Sequence, residues 1–307
     1  MGKLQIWLAQ TRANFLLLAV FLVAIGLAYS AYYNPEIAFN WLHAILILVG
    51  TISAHISVNL FNELSDYQTK IDFNTERTPF SGGSGMLPIG KTKPGQVRFA
   101  GILTLLFSAA IGIYFTLVAH WSIAVISIIG GFAIVFYTPL LARFLLGELF
   151  AGLALGSLVV IGAYIAISGL PGQSLFSIVP LEVWLISIPP GILTSLLLLL
   201  NEFPDMEADK AGGRKHLVIK YGKEIAAKLY AAGMLLTFLT IILLPLLGIS
   251  SFWLYLALIP LPVALKASAT TLQHGNDMVK LMPALGMNVM VVLGTDLLIA
   301  LSVIFQL

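Results

Sequence analysis

Asn59-Leu60-Phe61-Asn62-Glu63-Leu64-Ser65-Asp66-Tyr67-Gln68-Thr69-Lys70-Ile71-Asp72 is echoed by Asn201-Glu202-Phe203-Pro204-Asp205-Met206-Glu207-Ala208-Asp209, and each stretch closes a long apolar run. The pattern Asn-Glu-x-x-Asp recurs with identical spacing. At about 100° per residue, Asn62 and Asp66 project from one helical face, as do Asn201, Asp205 and Asp209, and His55 and Asn59 continue the first face upward. Amides and carboxylates stacked at the end of a membrane helix are costly in hydrocarbon, and a hard cation with oxygen ligands compensates them. The two stretches read as two half-sites for Mg²⁺.

The helices follow from composition. Of 307 residues, 59% are hydrophobic and only 10% charged, too little polar surface for a water-soluble globule of this size. The chain reads as an all-α integral membrane protein. Nine apolar runs are long enough for about 30 Å of hydrocarbon: 13–31, 41–62, 97–118, 121–140, 145–168, 182–203, 225–247, 251–270 and 283–306. The first follows Lys3 and Arg12 as a signal peptide would, but its apolar run is too long and no convincing small-x-small cleavage site follows it, so it reads as a span. With no cysteine, disulfides, iron–sulfur clusters, haem-thiolate ligation and cysteine nucleophiles are excluded.

Alternating nine spans puts all 16 Lys and Arg residues on one side, while the opposite loops, 32–40, 119–120, 169–181 and 248–250, hold none. Basic residues near span ends accumulate in the cytoplasm. The expectation is a cytoplasmic N-terminus, an outside C-terminus, and both acidic motifs at cytoplasmic helix ends. Residues 1–307 form one transmembrane domain, with cytoplasmic cap loops at 67–96 and 204–224. Loops this long in a tight bundle are usually functional. The first contains Ser81-Gly82-Gly83-Ser84-Gly85, suited to a mobile lid or to backbone N–H contact with an anion.

Carboxylates and amides beside many cations fit a polyanion held through divalent metal, and diphosphate is the natural candidate. Lys70, Arg77, Lys91 and Lys93 in the first loop, with Lys210, Arg214 and Lys215 in the second, are placed to stabilise charge on a leaving group. Arg12, Asn59 and Arg143 border the same face as further diphosphate contacts. A polar head at the cytoplasmic boundary and a long tail in the bundle describe an isoprenyl diphosphate.

These residues resemble the UbiA superfamily of intramembrane prenyltransferases. Its two aspartate-rich motifs match Asn62-x-x-x-Asp66-x5-Asp72 and Asp205-x-x-x-Asp209. Trp7…Arg12, Phe136-Tyr137-Thr138-Pro139, Gly147-Glu148 and Gly213-Arg214-Lys215-His216-Leu217 extend the likeness over nearly the whole chain. The step from Asp66 to Asp72 and the segment Arg77–Gly85 look most like the menaquinone branch, which prenylates 1,4-dihydroxy-2-naphthoate. Two positions depart from the pattern. Glu63 stands where an Asp is usual, one step off the Asn62/Asp66 face, and Lys70 replaces an acid of the 4-hydroxybenzoate-type members, which makes Asp72 the third ligand of the first site.

The resemblance implies Mg²⁺, in two ions, held by Asn62, Asp66, Asp72, Asn201, Asp205 and Asp209. It also implies ionisation of the allylic C–O bond and attack by an electron-rich ring. Tyr137, Trp121, Phe132 and Phe136 are candidate walls for the cation. The expected partners are an isoprenyl diphosphate, an aromatic acceptor and membrane lipid, with no nucleic acid, at the cytoplasmic membrane with the site facing the cytoplasm.

Other uses of these residues were weighed. Paired amides and carboxylates also make structural interhelix hydrogen bonds, and single Lys or Arg residues, Lys220, Lys223 and Lys228 above all, also reach for headgroups. His55 reads as a satisfied core histidine, Asp296 as a helix-packing hydrogen bond, and Gly130, Gly131, Gly152 and Gly156 as close-packing positions. A secondary transporter would place its acids near the midplane. A CDP-alcohol-type phosphotransferase would show Asp-x-x-Asp-Gly followed by Ala-Arg, a run the chain lacks.

Overall fold

The computed structural model describes residues 1–36 and 38–307 and, among them, contains helices and no strand. In chain order they are α1 (Lys3–Gln10), α2 (Leu16–Tyr33), α3 (Trp41–Gln68), α4 (Ile71–Asn74), α5 (Pro94–Val118), α6 (Ser122–Phe136) and α7 (Gly147–Phe150). There follow α8 (Leu158–Ser168), α9 (Leu175–Ile178), α10 (Leu181–Ile186), α11 (Ile188–Ala211), α12 (Leu217–Leu246), α13 (Leu261–His274) and α14 (Met278–Ile304). Local chemistry sets several starts: Asn40 caps α3 by accepting from His43 N, Asp277 caps α14 by accepting from Lys280 N, and Pro94 opens α5, where its missing N–H costs nothing.

Among the described residues, seven helical stretches are long and apolar enough to cross a membrane, and an eighth counts if Phe252–Leu258 and Leu261–His274, bent by 40° at Pro260, form one span. The remaining expected span, 121–140, shrinks to the 15 residues of α6. At 1.5 Å per residue that is about 22 Å, short of the hydrocarbon thickness.

The expected caps are also corrected. Helix α11 runs through Pro204 to Ala211, so the connection expected over 204–224 starts later; residues 212–216 are non-helical, a short turn follows from Leu217, and the backbone breaks again at Gly222, φ +81°, before the long part of α12. Hydropathy falls at the first polar residues, whereas the helical ladder continues beneath them. The first cap narrows likewise to 75–93, because α3 reaches Gln68, α4 intervenes, and α5 begins at Pro94.

Helix α11 is the central element, packing against α12, α14 and the π-helical segment Ala151–Ser157 between α7 and α8. Its most apolar window is 67% buried, against 11% for the peripheral α5. Close approach depends on missing side chains: a Cβ on Gly156 would lie 2.6 Å from Gly191 Cα, and one on Gly152 2.5 Å from Gly191 O. Gly130 and Gly131 are not packing positions of this kind, since a Cβ on either would meet nothing within 4 Å. Burial of Leu22, Ile25, Val160, Leu193, Leu200 and Phe203 closes the core.

Polar side chains gather at the two ends of the bundle. One end holds Tyr29 and Tyr33 donating to Glu182, with Asn34 donating to Ser168. The other holds the acidic motifs. Between them, Asn288 accepts from Tyr230 and donates to Leu196 O. Asp296 differs from expectation: it is fully buried and neither carboxylate oxygen has a hydrogen-bond partner among the described residues, so it forms no packing bond.

Candidate active site

Four connections converge on the end that carries the acids. The turn after α1 is tied to α3 by Asn59 Nδ2 donating to Thr11 O at 3.0 Å, and to loop 75–93 by Arg12 Nη2 donating to Phe80 O at 3.3 Å. The connection between α6 and α7 meets that between α11 and α12 where Lys215 N donates to Ala142 O. They carry Arg12, Arg77, Lys91, Tyr137, Arg143, Arg214 and Lys215, while the acids and amides stand on α3, α4 and α11.

The two motifs face each other. Arg214 pairs with Asp66 of α3 through Nη2 and with Asp209 of α11 through Nη1 at 3.2 Å, so one guanidinium joins both. Loop 75–93 closes over them. Gly82 N donates to Asp205 Oδ2 at 3.1 Å and Ser84 N to Glu63 Oε1 at 2.6 Å, and a Cβ on Gly83 would lie 2.9 Å from Asp72 Oδ1. The turn that carries Gly82 N and Ser84 N to these acids has positive φ angles at Gly82, Gly83 and Gly85, a conformation that side chains resist. Gly85 lies against Arg77, whose Nη2 donates to Asp72 O at 2.7 Å.

Glu63 is not a spare position. It is 2% exposed and takes Gln10 Nε2 at 3.0 Å as well as Ser84, so the residue off the acidic face anchors the loop. Asn62 is oriented by Thr138 Oγ1, which donates to Asn62 Oδ1 at 2.6 Å. Burial, and then the nearby Glu63 and Asp66 carboxylates, push the Asp72 carboxyl up to about 8.

The donor chemistry fits a hard cation. Asp72 Oδ2, Asn201 Oδ1 and Asp205 Oδ1 are buried without a hydrogen-bond partner among the described residues. Buried oxygens are rarely left so, and an ion is one explanation of the exception.

A cavity of about 1060 Å³, counting the space at its mouth, opens below this cluster. Its polar end is lined by Arg12, His55, Asn59, Asn62, Tyr137 and Asn201, and its body by Phe15, Leu18, Phe150, Leu155 and Leu197. A second space of about 870 Å³ shares Thr51, Ala54, Gly130, Ile134, Ala154 and Val159 with it and reaches Ile47, Phe115 and Ala166. From Asn62 to Ile47 along α3 is about 22 Å. Gly130 and Gly131 therefore face open space.

The remaining expectations sort by position. Asn59 and Arg12 line the cavity mouth, and Tyr137 is the aromatic residue of its group that does so. Trp121, Phe132 and Phe136 are exposed on the outer surface, outside the cavity lining. His55 lines the cavity, and its Nδ1 has no hydrogen-bond partner among the described residues, which corrects its reading as a satisfied core residue. Lys70, Arg77, Lys91, Lys93, Arg143, Lys210 and Lys215 are exposed, and apart from Arg77 their side chains are not held against the acids. A buried group that sequence reasoning missed, Glu148, Glu202 and His216, lies behind Asp209. Each belongs to a motif quoted above, but only the folded chain brings them together.

The sequence pattern of the UbiA prenyltransferase family matches residues 19–282. A Bacillus subtilis (strain 168) protein named 1,4-dihydroxy-2-naphthoate octaprenyltransferase is 30% identical over 225 residues, covering 72% of this chain and 68% of its own. A Haemophilus influenzae protein of the same name is 23% identical over 222 residues, covering 72% and 70%. Among solved structures, a UbiA homolog from Aeropyrum pernix K1 superposes with a TM-score of 0.69 at 16% identity, over 93% of this chain and 97% of that one. A UbiA homolog from Archaeoglobus fulgidus bound to DMAPP and Mg²⁺ gives 0.58 at 18% identity, over 98% and 99%.

Proposed function

Because the chain belongs to the UbiA prenyltransferase family, it is a prenyltransferase, and we propose that it moves a polyprenyl group from an isoprenyl diphosphate to 1,4-dihydroxy-2-naphthoate, releasing diphosphate. The observation that carries this reading is the joining of a carboxylate and amide cluster to a long apolar cavity, which suits a charged head on a hydrocarbon tail. The name of the Bacillus subtilis relative and the segment Arg77–Gly85 support the naphthoate acceptor.

Asn62, Asp66, Asp72, Asn201, Asp205 and Asp209 would hold Mg²⁺, as two ions. Bound there, Mg²⁺ supplies charge neutralisation for the departing diphosphate. The chain does the rest. Arg214 and Arg12 add positive charge at the mouth, and the exposed Lys70, Arg77, Lys91, Arg143, Lys210 and Lys215 draw anions toward it. Tyr137, Phe15 and Phe150 offer ring faces beside the reacting carbon, and loop 75–93 keeps water from an allylic cation.

The chain crosses the cytoplasmic membrane as one domain of nine spans, α6 being the short one and α13 with Phe252–Leu258 the bent one, with the acids facing the cytoplasm. The segregation of basic residues supports this orientation.

One assay tests the reading: purified protein with Mg²⁺, isoprenyl diphosphates of several lengths, and a panel of dihydroxynaphthoate, hydroxybenzoate and geranylgeranylglyceryl phosphate. Prenylated naphthoate is the expected product. Product from the glyceryl phosphate alone would overturn the acceptor while leaving the reaction class in place.

A further inference from the structure

Behind Asp209, three buried side chains from separate parts of the chain point at one another. Glu148 comes from α7, Glu202 from α11, and His216 from the residue before α12; they are 4%, 6% and 2% exposed. One donor atom from each lies within 4.8 Å of the others. None belongs to the proposed Mg²⁺ ligand set, and Glu202 projects about 100° around α11 from Asn201.

The second observation is what these groups lack. Glu148 Oε2, Glu202 Oε2 and both ring nitrogens of His216 make no hydrogen bond among the described residues. Glu148 spends its other oxygen on Leu217 N at 2.8 Å, at the start of α12, which fixes the carboxylate and leaves Oε2 turned inward. The His216 ring stands between two acids, with Nδ1 3.4 Å from Glu202 Oε2 and Nε2 3.3 Å from Asp209 Oδ2. An imidazole that offers one nitrogen to a metal and turns the other toward a carboxylate is the usual arrangement around a histidine ligand. Charge points the same way: Asp66 and Asp209 pair with Arg214, and Glu202 lies near the same guanidinium.

We propose that Glu148, Glu202 and His216 form a separate site for a first-row divalent ion of the Zn²⁺ or Mn²⁺ type, which locks α7, α11 and the start of α12 together and holds Asp209 in place through His216. Two carboxylates and one imidazole suit these ions better than Mg²⁺, which favours oxygen alone. Donors about 2.1 Å from a tetrahedral ion lie about 3.4 Å apart, so donor pairs near the 4.8 Å limit draw together by about 1.4 Å as the ion binds. The proposal concerns structure and stands independently of which acceptor is prenylated.

Metal content is the readout. Full-length protein is loaded with Zn²⁺ or Mn²⁺ in Mg²⁺-containing buffer and desalted, and its ions are counted by elemental mass spectrometry. About one ion per chain is expected. Glu148→Gln and His216→Gln should weaken binding by ~100-fold or more, whereas Asp205→Asn should keep the ion. Because the first two variants alter buried positions, X-ray absorption at the metal edge of the wild type gives an independent answer: an oxygen and nitrogen shell with one imidazole is expected. Absence of a stoichiometric ion, a shell without imidazole, or loss of the ion in Asp205→Asn alone would each overturn the proposal.

Discussion

The backbone N–H of Gly82 donates to Oδ2 of Asp205 at 3.1 Å, across 123 positions of sequence. Loop 75–93 is thereby fastened to the second acidic motif, while Ser84 fastens it to Glu63 beside the first. The glycine-rich stretch closes the site by gripping carboxylates with its amides.

Gly83→Ala should disturb this closure for two reasons. Its φ of +68° costs a side chain about 1–2 kcal/mol, and the new Cβ would crowd Asp72 and Glu63 at 2.9 and 3.1 Å. Gly90→Ala carries the same backbone cost at φ +70° with nothing within 4 Å. Both variants should lose thermal stability in detergent, Gly83→Ala the more, but only Gly83→Ala should lose turnover, by ~10-fold or more. Equal turnover in the two would remove the loop from the reaction.

Asp205→Asn keeps an oxygen for Gly82 and removes a negative charge whose other oxygen has no partner. The loop should stay in place while turnover falls by ~100-fold or more and the Mg²⁺ concentration for half-maximal rate rises. Full activity with an unchanged Mg²⁺ titration would reject Asp205 as a ligand.

Arg214→Ala leaves Asp66 and Asp209 without the one cation that pairs with both. Removing one partner of a buried pair costs about 3–5 kcal/mol, so the melting temperature should drop markedly without Mg²⁺. Adding Mg²⁺ with diphosphate should restore part of that loss, more than it raises the wild type. Arg214→Lys, unable to reach both acids at once, should fall between.

Gly131→Leu adds a side chain where a Cβ meets no atom within 4 Å and the cavity wall is bare. The protein should fold normally. Its kcat/KM should fall by ~10-fold or more for long isoprenyl diphosphates and change little for short ones.

Topology can be checked because the chain has no native cysteine. Cysteines replacing the exposed Lys91 and Ser174 should react with an impermeant maleimide from opposite sides of intact cells, Ser174→Cys from outside and Lys91→Cys only after lysis. Labelling of both from one side would refute the orientation.

How much of this was readable from residues alone varies with the distance between partners. The spans and the pairing of motifs follow from local periodicity, and the structure places Asp66 and Asp209 on one guanidinium. Helix ends were read short at Pro204, because apolarity stops before the backbone ladder does. The role of Glu63 does not follow from its face within α3, because its partners Gln10 and Ser84 stand 53 and 21 positions away. Glu148, Glu202 and His216 lie in three motifs whose meeting depends on how α7, α11 and α12 pack. Aromatic orientation was unreadable in principle, since α6 is apolar on every side, and only Tyr137 at its end turned inward.

The apolar body of the cavity has a consequence for how a tail is chosen. In water, each added isoprene unit would strengthen binding, because burial removes hydrocarbon from solvent. Within a bilayer the tail already lies among lipid chains as apolar as Leu155 or Leu197, and moving it inward changes its surroundings little. Partitioning therefore gives almost no affinity per carbon. The diphosphate end must supply the attraction, and the walls can select only by refusing what does not fit. Apparent affinity plotted against tail length should then run flat and break at a step, where a soluble enzyme would show a steady slope.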